Sequence, residues 1–256
     1  MLLVLYLPIL ILAVYSFTDA TTIGAIRGFS LHNYVTLFTT PELQTMILGT
    51  LALAFGAAAI ATILGTLGAL GAFYAKPRIR SAVQTVNQIP VINADVVTGF
   101  SLCVLLVVVL GISKDTYIPL VAGHVVLCAP FVFLNVMPRI RQMDPAMYEA
   151  ALDLGATPRK ALSQVVIPQI MPGIVSGFAL AVTLSLDDYF IATYTKPATF
   201  NTISTYVVNA TKGSQTTIKT ALWALSTVIF AIVILFVAAL NYRASRQEKR
   251  REKEDV

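Results

Sequence analysis

The fold class of this chain is decided by its long apolar runs, most of them near or above the ~20 residues that a helix needs to cross a bilayer. There are six such runs, at Met1–Phe17, Met46–Tyr74, Ile89–Ile112, Tyr117–Met137, Ile174–Tyr194 and Ala221–Tyr242. Because lipid offers no hydrogen-bond partners to backbone groups, each run is predicted to be a helix. The sequence therefore predicts an all-α membrane protein, with a six-helix transmembrane domain over residues 1–242.

Composition agrees with a membrane bundle rather than a soluble domain. The chain is 57% apolar and 12% charged, whereas soluble domains are roughly 45–50% apolar and about 25% charged. Cys103 and Cys128 both lie inside apolar runs with no metal-ligand spacing around them, so we interpret them as small apolar fillers. We expect this chain to bind no metal or other cofactor of its own.

The distribution of basic residues predicts the orientation of the bundle. Connections on one side carry thirteen Lys and Arg residues: Lys76, Arg78, Arg80, Arg139, Arg141, Arg159, Lys160, Arg243, Arg246, Lys249, Arg250, Arg251 and Lys253. The other side carries five: Arg27, Lys114, Lys196, Lys212 and Lys219. The positive-inside rule places the richer side in the cytoplasm. Both termini are then cytoplasmic, and residues 243–256 form a charged cytoplasmic tail near anionic lipid. The net charge of +5 thus indicates membrane orientation rather than nucleic-acid binding.

The first run begins at Met1 with no basic segment before it and no clear cleavage site after it. Since a secretory signal peptide normally has both, we expect a retained helix here.

The longest cytoplasmic connection, residues 138–172, carries start and stop signals for two short helices. Asp144 is a good cap for a helix beginning at Pro145, and Gly155 stands where a helix end favours a left-handed residue. Thr157 and Pro158 repeat the start signal, and Pro168 disfavours continuation. The first helix has an apolar face of Met147, Ala150, Ala151 and Leu154 beside Glu149. Such a face predicts a docking partner, or else packing beneath the chain's own bundle.

The spacing in this connection resembles the EAA loop of binding-protein-dependent importers. The family pattern is E-A-A-x3-G-x9-I-x-L-P, and the matching positions here are Glu149, Ala150, Ala151, Gly155, Val165, Ile167 and Pro168. The resemblance implies a type I, MetI-like permease fold. It also implies that residues 138–172 form a coupling loop that docks on a separate ATPase through Glu149, Ala150, Ala151, Leu154 and Gly155.

The chain contains no G-x4-G-K-[ST] phosphate loop. We therefore expect it to be a transport subunit rather than an enzyme, with ATP and Mg²⁺ held by two partner ATP-binding subunits.

Three carboxylates lie within predicted spans: Asp95, Asp187 and Asp188. Charged groups at membrane depth are costly, by at least about 2.5 kcal/mol each, and usually face a pathway or a partner. We place Asp187 in the outer third of its span and Asp95 closer to the cytoplasm, as two stages of a cation route. Because adjacent helical residues point about 100° apart, Asp187 and Asp188 are not expected to face the same pore. The lone His124 is interpreted as a packed, hydrogen-bonded imidazole.

A second resemblance narrows the family to the spermidine/putrescine permeases, in particular their C-type subunit. The segments that carry it are Phe29–Tyr34, Ala94–Leu102, Glu149–Thr157 and Leu184–Asp188. It implies import of polyamines across the bacterial cytoplasmic membrane. It also implies a second, related permease subunit and an extracytoplasmic substrate-binding protein as partners.

Two alternatives stay open from the sequence. The importer could carry another solute, such as iron, thiamine, an anion or an amino acid. The chain could instead be an autonomous channel or proton-coupled carrier, with Asp95, Asp187 and His124 as a proton relay.

Overall fold

We describe a computed structural model that covers residues 2–18, 28–144, 146–212 and 220–231. These residues are 84% helical and form no strand; the one extended pairing is an isolated bridge between Thr18 and Phe29. The chain divides into two compact units: Met1–Thr45 with Val207–Val256, and Met46–Tyr206. The all-α prediction is confirmed.

The helices of the described residues are α1 Leu2–Ser16, α2 His32–Thr39, α3 Pro41–Tyr74, α4 Pro77–Ile92, α5 Asp95–Cys103, α6 Ile118–Gln142, α7 Ala146–Asp153, α8 Pro158–Ala161, α9 Ile167–Asp187, α10 Phe190–Thr195, α11 Ile203–Lys212 and α12 Thr220–Ala231. Two π-helical segments extend this set. Val104–Val109 continues α5, and Leu162–Val166 joins α8 to α9.

The core of the Met46–Tyr206 unit is built where α6 packs along α9, with the small residues of α3 against them. Its fully buried members include Ala58 and Ala61 of α3, Val132 and Val136 of α6, and Ile170 of α9. Alanines on α3 let its backbone approach the branched side chains of α6 closely. Helix α10 packs on α5 and α6, and α4 packs on α6.

Three described helices are long and apolar enough to span a membrane: Pro41–Tyr74, Ile118–Gln142 and the continuous stretch Pro158–Asp187. They correspond to the predicted second, fourth and fifth spans. Shorter apolar helices, Tyr6–Ser16 and Thr220–Ala231, lie within the predicted first and sixth spans. Residues 232–242 of the sixth span and the tail 243–256 lie outside the described residues.

The third span differs from its prediction. Instead of one helix over 89–112, α4 and α5 form a broken pair bent by 105°, and the pair counts as a fourth span only if taken together. The helical chain begins at Pro77, twelve residues before the predicted start of the span. Its polar residues Gln84, Thr85 and Gln88 lie on an amphipathic helix rather than in a loop. The break follows Pro90, whose missing N–H weakens the helix end.

The predicted stop at Pro168 is wrong. The chain stays helical from Pro158 to Asp187, because the widened π turn at Leu162–Val166 is separated from the proline only by Ile167, so it includes the carbonyl four residues before the proline. A π turn leaves room for a ring that would clash with the carbonyl four residues earlier in a regular α-helix. The short second helix of the connection is therefore the first turn of the fifth span.

In the unit of Met1–Thr45 and Val207–Val256, polar contacts join the end of α1 to α2. The Asn33 amide donates to the carbonyl oxygens of Ser16 and Thr18, at 3.1 and 3.0 Å. The Ser16 hydroxyl lies 2.8 Å from the Tyr34 hydroxyl. These bonds satisfy backbone oxygens that the end of a helix leaves without partners.

Candidate functional site

The predicted coupling helix is present as α7, with both of its ends closed as the sequence indicates. The Asp144 carboxylate accepts the Ala146 N–H at 2.9 Å; Pro145 lies outside the described residues. At the other end, the Ala156 N–H donates to the Ala151 carbonyl at 3.0 Å and the Gly155 N–H to the Leu152 carbonyl at 2.9 Å. This pair of bonds is a Schellman motif, which needs a left-handed residue such as glycine at its turn.

Gly155 supplies that conformation, with φ of +84°. A Cβ atom there would meet nothing within 4 Å, so the requirement for glycine comes from the backbone and not from crowding. The turn sends the chain directly into α8, where the Thr157 hydroxyl accepts the Lys160 N–H. Helix α7 is thus attached through one rigid turn to the 30-residue stretch Pro158–Asp187.

Much of one face of α7 is exposed in this structure. Leu154 is 89% exposed and Met147 45% exposed, and Glu149 and Ala150 are also exposed. The opposite face is attached to the bundle through Tyr148, whose ring lies 5.6 Å from that of Tyr74. Ala151 is half-buried and the Met147 Sδ accepts a hydrogen bond from the Gln169 amide at 2.8 Å, so the part of the predicted face open to a partner is that of Glu149, Ala150 and Leu154.

At the opposite end of the Pro158–Asp187 stretch, two broken helices meet. Helix α9 ends at Asp187 and the chain restarts as α10 at Phe190, while α4 ends at Ile92 and α5 begins at Asp95. Helix α10 packs on α5. Half-helices that start inside a membrane protein leave backbone N–H groups for side chains or ligands to satisfy.

These two breaks gather the three predicted carboxylates into one acidic cluster of Asp95, Asp187 and Asp188. Asp187 and Asp188 are adjacent in the chain, and Asp95 begins α5, on which α10 packs; Asp95 and Asp187 are exposed. That Asp95 and Asp187 lie at two depths of the membrane stays a prediction. Asp187 and Asp188 differ in exposure, because Asp187 is exposed and Asp188 is only 8% exposed; that they do not face the same pore stays a prediction.

The buried Asp188 carboxylate is bonded within the chain. One oxygen accepts the Ile191 N–H at 3.2 Å and the other accepts the Ala192 N–H at 2.7 Å. These are donors in the first turn of α10, so Asp188 acts as its N-terminal cap. Aspartate directly before a helix start is the sequence signal that would have revealed this break.

His124 on α6 faces both sides of the break between α9 and α10. It is fully buried, its Nδ1 lies 2.9 Å from the Ser185 hydroxyl, and its Nε2 lies 3.7 Å from an Asp188 oxygen. The expected packed and hydrogen-bonded imidazole is confirmed. Its proximity to Asp188 was not predicted, because no sequence pattern relates positions 64 residues apart.

Helix α10 is also fixed by a slot between two glycines. A Cβ atom on Gly99 of α5 would lie 3.0 Å from the Ile191 Cα, and one on Gly123 of α6 would lie 2.6 Å from the Ile191 Cγ2. Both distances are closer than side-chain carbons normally approach. Asp95 is one helical turn from Gly99, which Ile191 contacts. A shift of Ile191 would therefore move the Asp95 carboxylate relative to the Asp188 cap.

Residues 61–250, which include the α7 face, the Gly155 turn and the acidic cluster, match the family described as the binding-protein-dependent transport system inner membrane component. The chain belongs to this family. It is therefore a permease subunit of an ABC importer, a multi-pass inner membrane protein, and not an enzyme.

Relatives of this permease cover nearly its whole length. It is 32% identical over 252 residues to the putrescine transport system permease protein PotI of Escherichia coli K12, covering 96% of this chain and 89% of the relative. It is 33% identical over 232 residues to the spermidine/putrescine transport system permease protein PotC of Haemophilus influenzae, covering 90% of each.

The fold of the permease is that of a solved ABC importer. A bacterial alginate ABC transporter, in complex with an alginate pentasaccharide-bound periplasmic protein, aligns with a TM-score of 0.71 and 22% identity. The alignment covers 92% of this chain and 87% of the transporter chain. At this identity the likeness concerns the fold alone.

Proposed function

We propose that this permease imports polyamines such as putrescine and spermidine, with Asp95, Asp187 and Asp188 on the translocation pathway. The observation that carries the proposal is the acidic cluster at the meeting point of two broken helices. Polyamines are flexible polycations, so carboxylates along their route compensate the charge that they bring into the membrane. The likeness to putrescine and spermidine/putrescine permeases supports the same cargo class.

The bundle is proposed to have six spans with both termini in the cytoplasm, which puts α7 on the cytoplasmic side. The stretch Pro158–Asp187 is 30 residues long, or roughly 45 Å at about 1.5 Å per residue. A hydrocarbon core is ~30 Å thick. Asp187 then lies towards the extracytoplasmic face while Pro158 stays below the membrane.

The exposed α7 face is proposed to dock on a separate ATP-binding subunit, two copies of which serve a pair of related permeases. A rigid helix joined by one turn to a membrane-spanning helix transmits motion as a body. An extracytoplasmic binding protein would deliver cargo to the opposite end, as the periplasmic protein bound to the alginate transporter suggests. Family membership favours this importer over an autonomous carrier or channel.

Uptake by the assembled transporter in proteoliposomes tests the cargo. We expect ATP-dependent uptake of labelled putrescine or spermidine, and Asp187→Asn should raise KM about tenfold or more because one charge contact is lost. Asp115→Asn, which removes an exposed carboxylate from the loop before α6, is the matched control and should leave KM unchanged. Saturable uptake of iron, thiamine, an anion or an amino acid that excess spermidine does not inhibit would contradict the proposal.

Co-purification tests the docking face. Leu154→Asp places a charge on an 89% exposed apolar position, so the permease should still fold but lose most of its ATPase partner. Ser113→Asp adds the same charge at an exposed position before α6 and should retain the partner. Equal recovery of an ATPase with both variants would show that α7 is not the docking element.

A further inference from the structure

The three carboxylates of the acidic cluster differ in how far they are open to a passing solute. Asp95 and Asp187 are exposed, whereas the Asp188 side chain is only 3% exposed. Both oxygens of Asp188 already accept backbone N–H groups of α10. A cation reaching Asp188 would have to lose its water and enter a site that the chain already closes, sharing oxygens that hold two backbone donors, which is costly.

The side chains around Asp188 connect α9 and α10, which lie on the two sides of a helix break, to α6. Ser185, in the last turn of α9, bonds His124 of α6, and the same imidazole faces Asp188 after the break. The imidazole Nε2 has no hydrogen-bond partner among the described residues, because its 3.7 Å distance to Asp188 is too long for one. The Ser185–His124 hydrogen bond thus ties the end of α9 to α6, and the buried imidazole packs beside the carboxylate that caps α10.

From this geometry we infer that Asp188 is a positioning residue: with His124 and Ser185 it fixes the α9–α10 break, and it leaves contact with the transported cation to Asp187 and Asp95. The cap sets where Ile191 enters the slot between Gly99 and Gly123. Because Gly99 is one turn from Asp95, the cap also sets the distance between the two open carboxylates. This division of roles rests on the proposed import of polyamine cations.

Uptake kinetics of the assembled transporter separate binding from positioning. Asp187→Asn and Asp95→Asn should each raise KM for spermidine by about tenfold or more with a smaller change in kcat. Asp188→Ala should lower kcat by about tenfold at unchanged KM, since a shifted break misplaces the pathway without removing a cation contact. Asparagine is itself a good helix cap and keeps one of the two acceptor oxygens, so Asp188→Asn should recover part of the lost kcat although it carries no charge.

A cation-binding role for Asp188 gives the opposite pattern. Asp188→Asn would then raise KM as much as Asp187→Asn does, with no recovery relative to Asp188→Ala. That result would overturn the positioning role and leave polyamine import standing.

The variant His124→Leu tests the positioning role of Asp188 in a second way. If His124 acts through Asp188, the variant should lower kcat at unchanged KM, and the double variant with Asp188→Ala should be no slower than Asp188→Ala alone. Independent, multiplying losses would contradict the coupling. Should Asp188→Ala fail to assemble, Asp188→Asn and the single His124→Leu variant still distinguish the two roles.

Hydrogen–deuterium exchange in nanodiscs gives a readout that needs no cargo. The amides of Ile191 and Ala192 should both exchange about tenfold faster or more in Asp188→Ala and be unchanged in Asp187→Asn. In Asp188→Asn, whose side chain keeps one acceptor oxygen, one of the two amides should stay protected. Unchanged exchange in Asp188→Ala would overturn the inference. If the native transporter takes up no polyamine, the proposed function fails, while this measurement still decides the role of Asp188.

Discussion

At the scale of single residues, the loop that contains α7 depends on the backbone of one residue, and the acidic cluster depends on the side chain of another. Gly155 is needed for its backbone, because its surroundings are open and only its positive φ excludes other residues. Asp188 is needed for its side chain, which supplies acceptors to two N–H groups that would otherwise be buried without partners. The role of Gly155 can be recognised from local sequence, since glycine commonly follows the last residue of a helix.

Gly155→Val should uncouple ATP hydrolysis from transport. A β-branched residue in the left-handed region costs about 1–3 kcal/mol, which is relieved if α7 tilts away from its turn. We expect uptake to fall at least about tenfold while ATP hydrolysis continues and the bundle stays folded. Gly155→Asn is the matched control, because asparagine tolerates this conformation. Normal coupled transport by the valine variant would show that the turn does not transmit motion.

At the scale of helices, the position of α10 depends on the slot between Gly99 and Gly123. Neither glycine has a positive φ, so what they supply is space for Ile191. Helix α10 has only six residues, too few to be stable without tertiary contacts. Its place is therefore set by the slot on one side and the Asp188 cap on the other.

Gly123→Ala should destabilise the transporter, because its new Cβ would lie 2.6 Å from the Ile191 Cγ2. Overpacking of this kind costs about 1–3 kcal/mol, and Ile191→Ala costs about 2–5 kcal/mol through the cavity that it leaves. The double variant should lose less than the two losses together, since the added methyl partly fills that cavity. The measurement is the midpoint of thermal unfolding in detergent.

Gly68→Ala serves as the control for this pair. Its Cβ would lie 3.7 Å from the Phe133 ring, an ordinary contact, and alanine is the better helix former by about 0.5–1 kcal/mol. We expect an unchanged or higher midpoint. A loss as large as that of Gly123→Ala would mean that helical glycines are required here for reasons other than space around Ile191.

These helices also show how far sequence reasoning reaches. The long spans follow from apolar runs, and α7 follows from Asp144 and Gly155, because both signals are local in the chain. The broken third span was missed because α4 is amphipathic, and its polar residues resembled a loop. The union of Asp95 with Asp188 depends on contacts between α5 and α10, which are far apart in sequence and leave no periodic pattern.

At the scale of the whole molecule, the proposal requires α7 and the loop before α6 to lie on opposite sides of the membrane. Basic residues indicate this orientation, since thirteen of eighteen belong to the connections on the side of α7. The length of Pro158–Asp187 agrees with it, because a 30-residue helix exceeds the thickness of the hydrocarbon core. The coupling helix and the acidic cluster then belong to opposite faces.

Side-specific cysteine labelling tests this arrangement. The test uses a Cys103→Ser and Cys128→Ala background, in which Lys114→Cys should react with a membrane-impermeant maleimide in intact spheroplasts. Asp153→Cys should react only after permeabilisation. Both positions are exposed, and in the proposed orientation they lie on opposite faces of the membrane. Val132→Cys, at a position that is 0% exposed in the core, should stay unlabelled until the protein is denatured. Labelling of Asp153→Cys in intact spheroplasts would place the EAA helix outside, where no ATPase can reach it, and would remove the physical basis for ATP-driven coupling through α7.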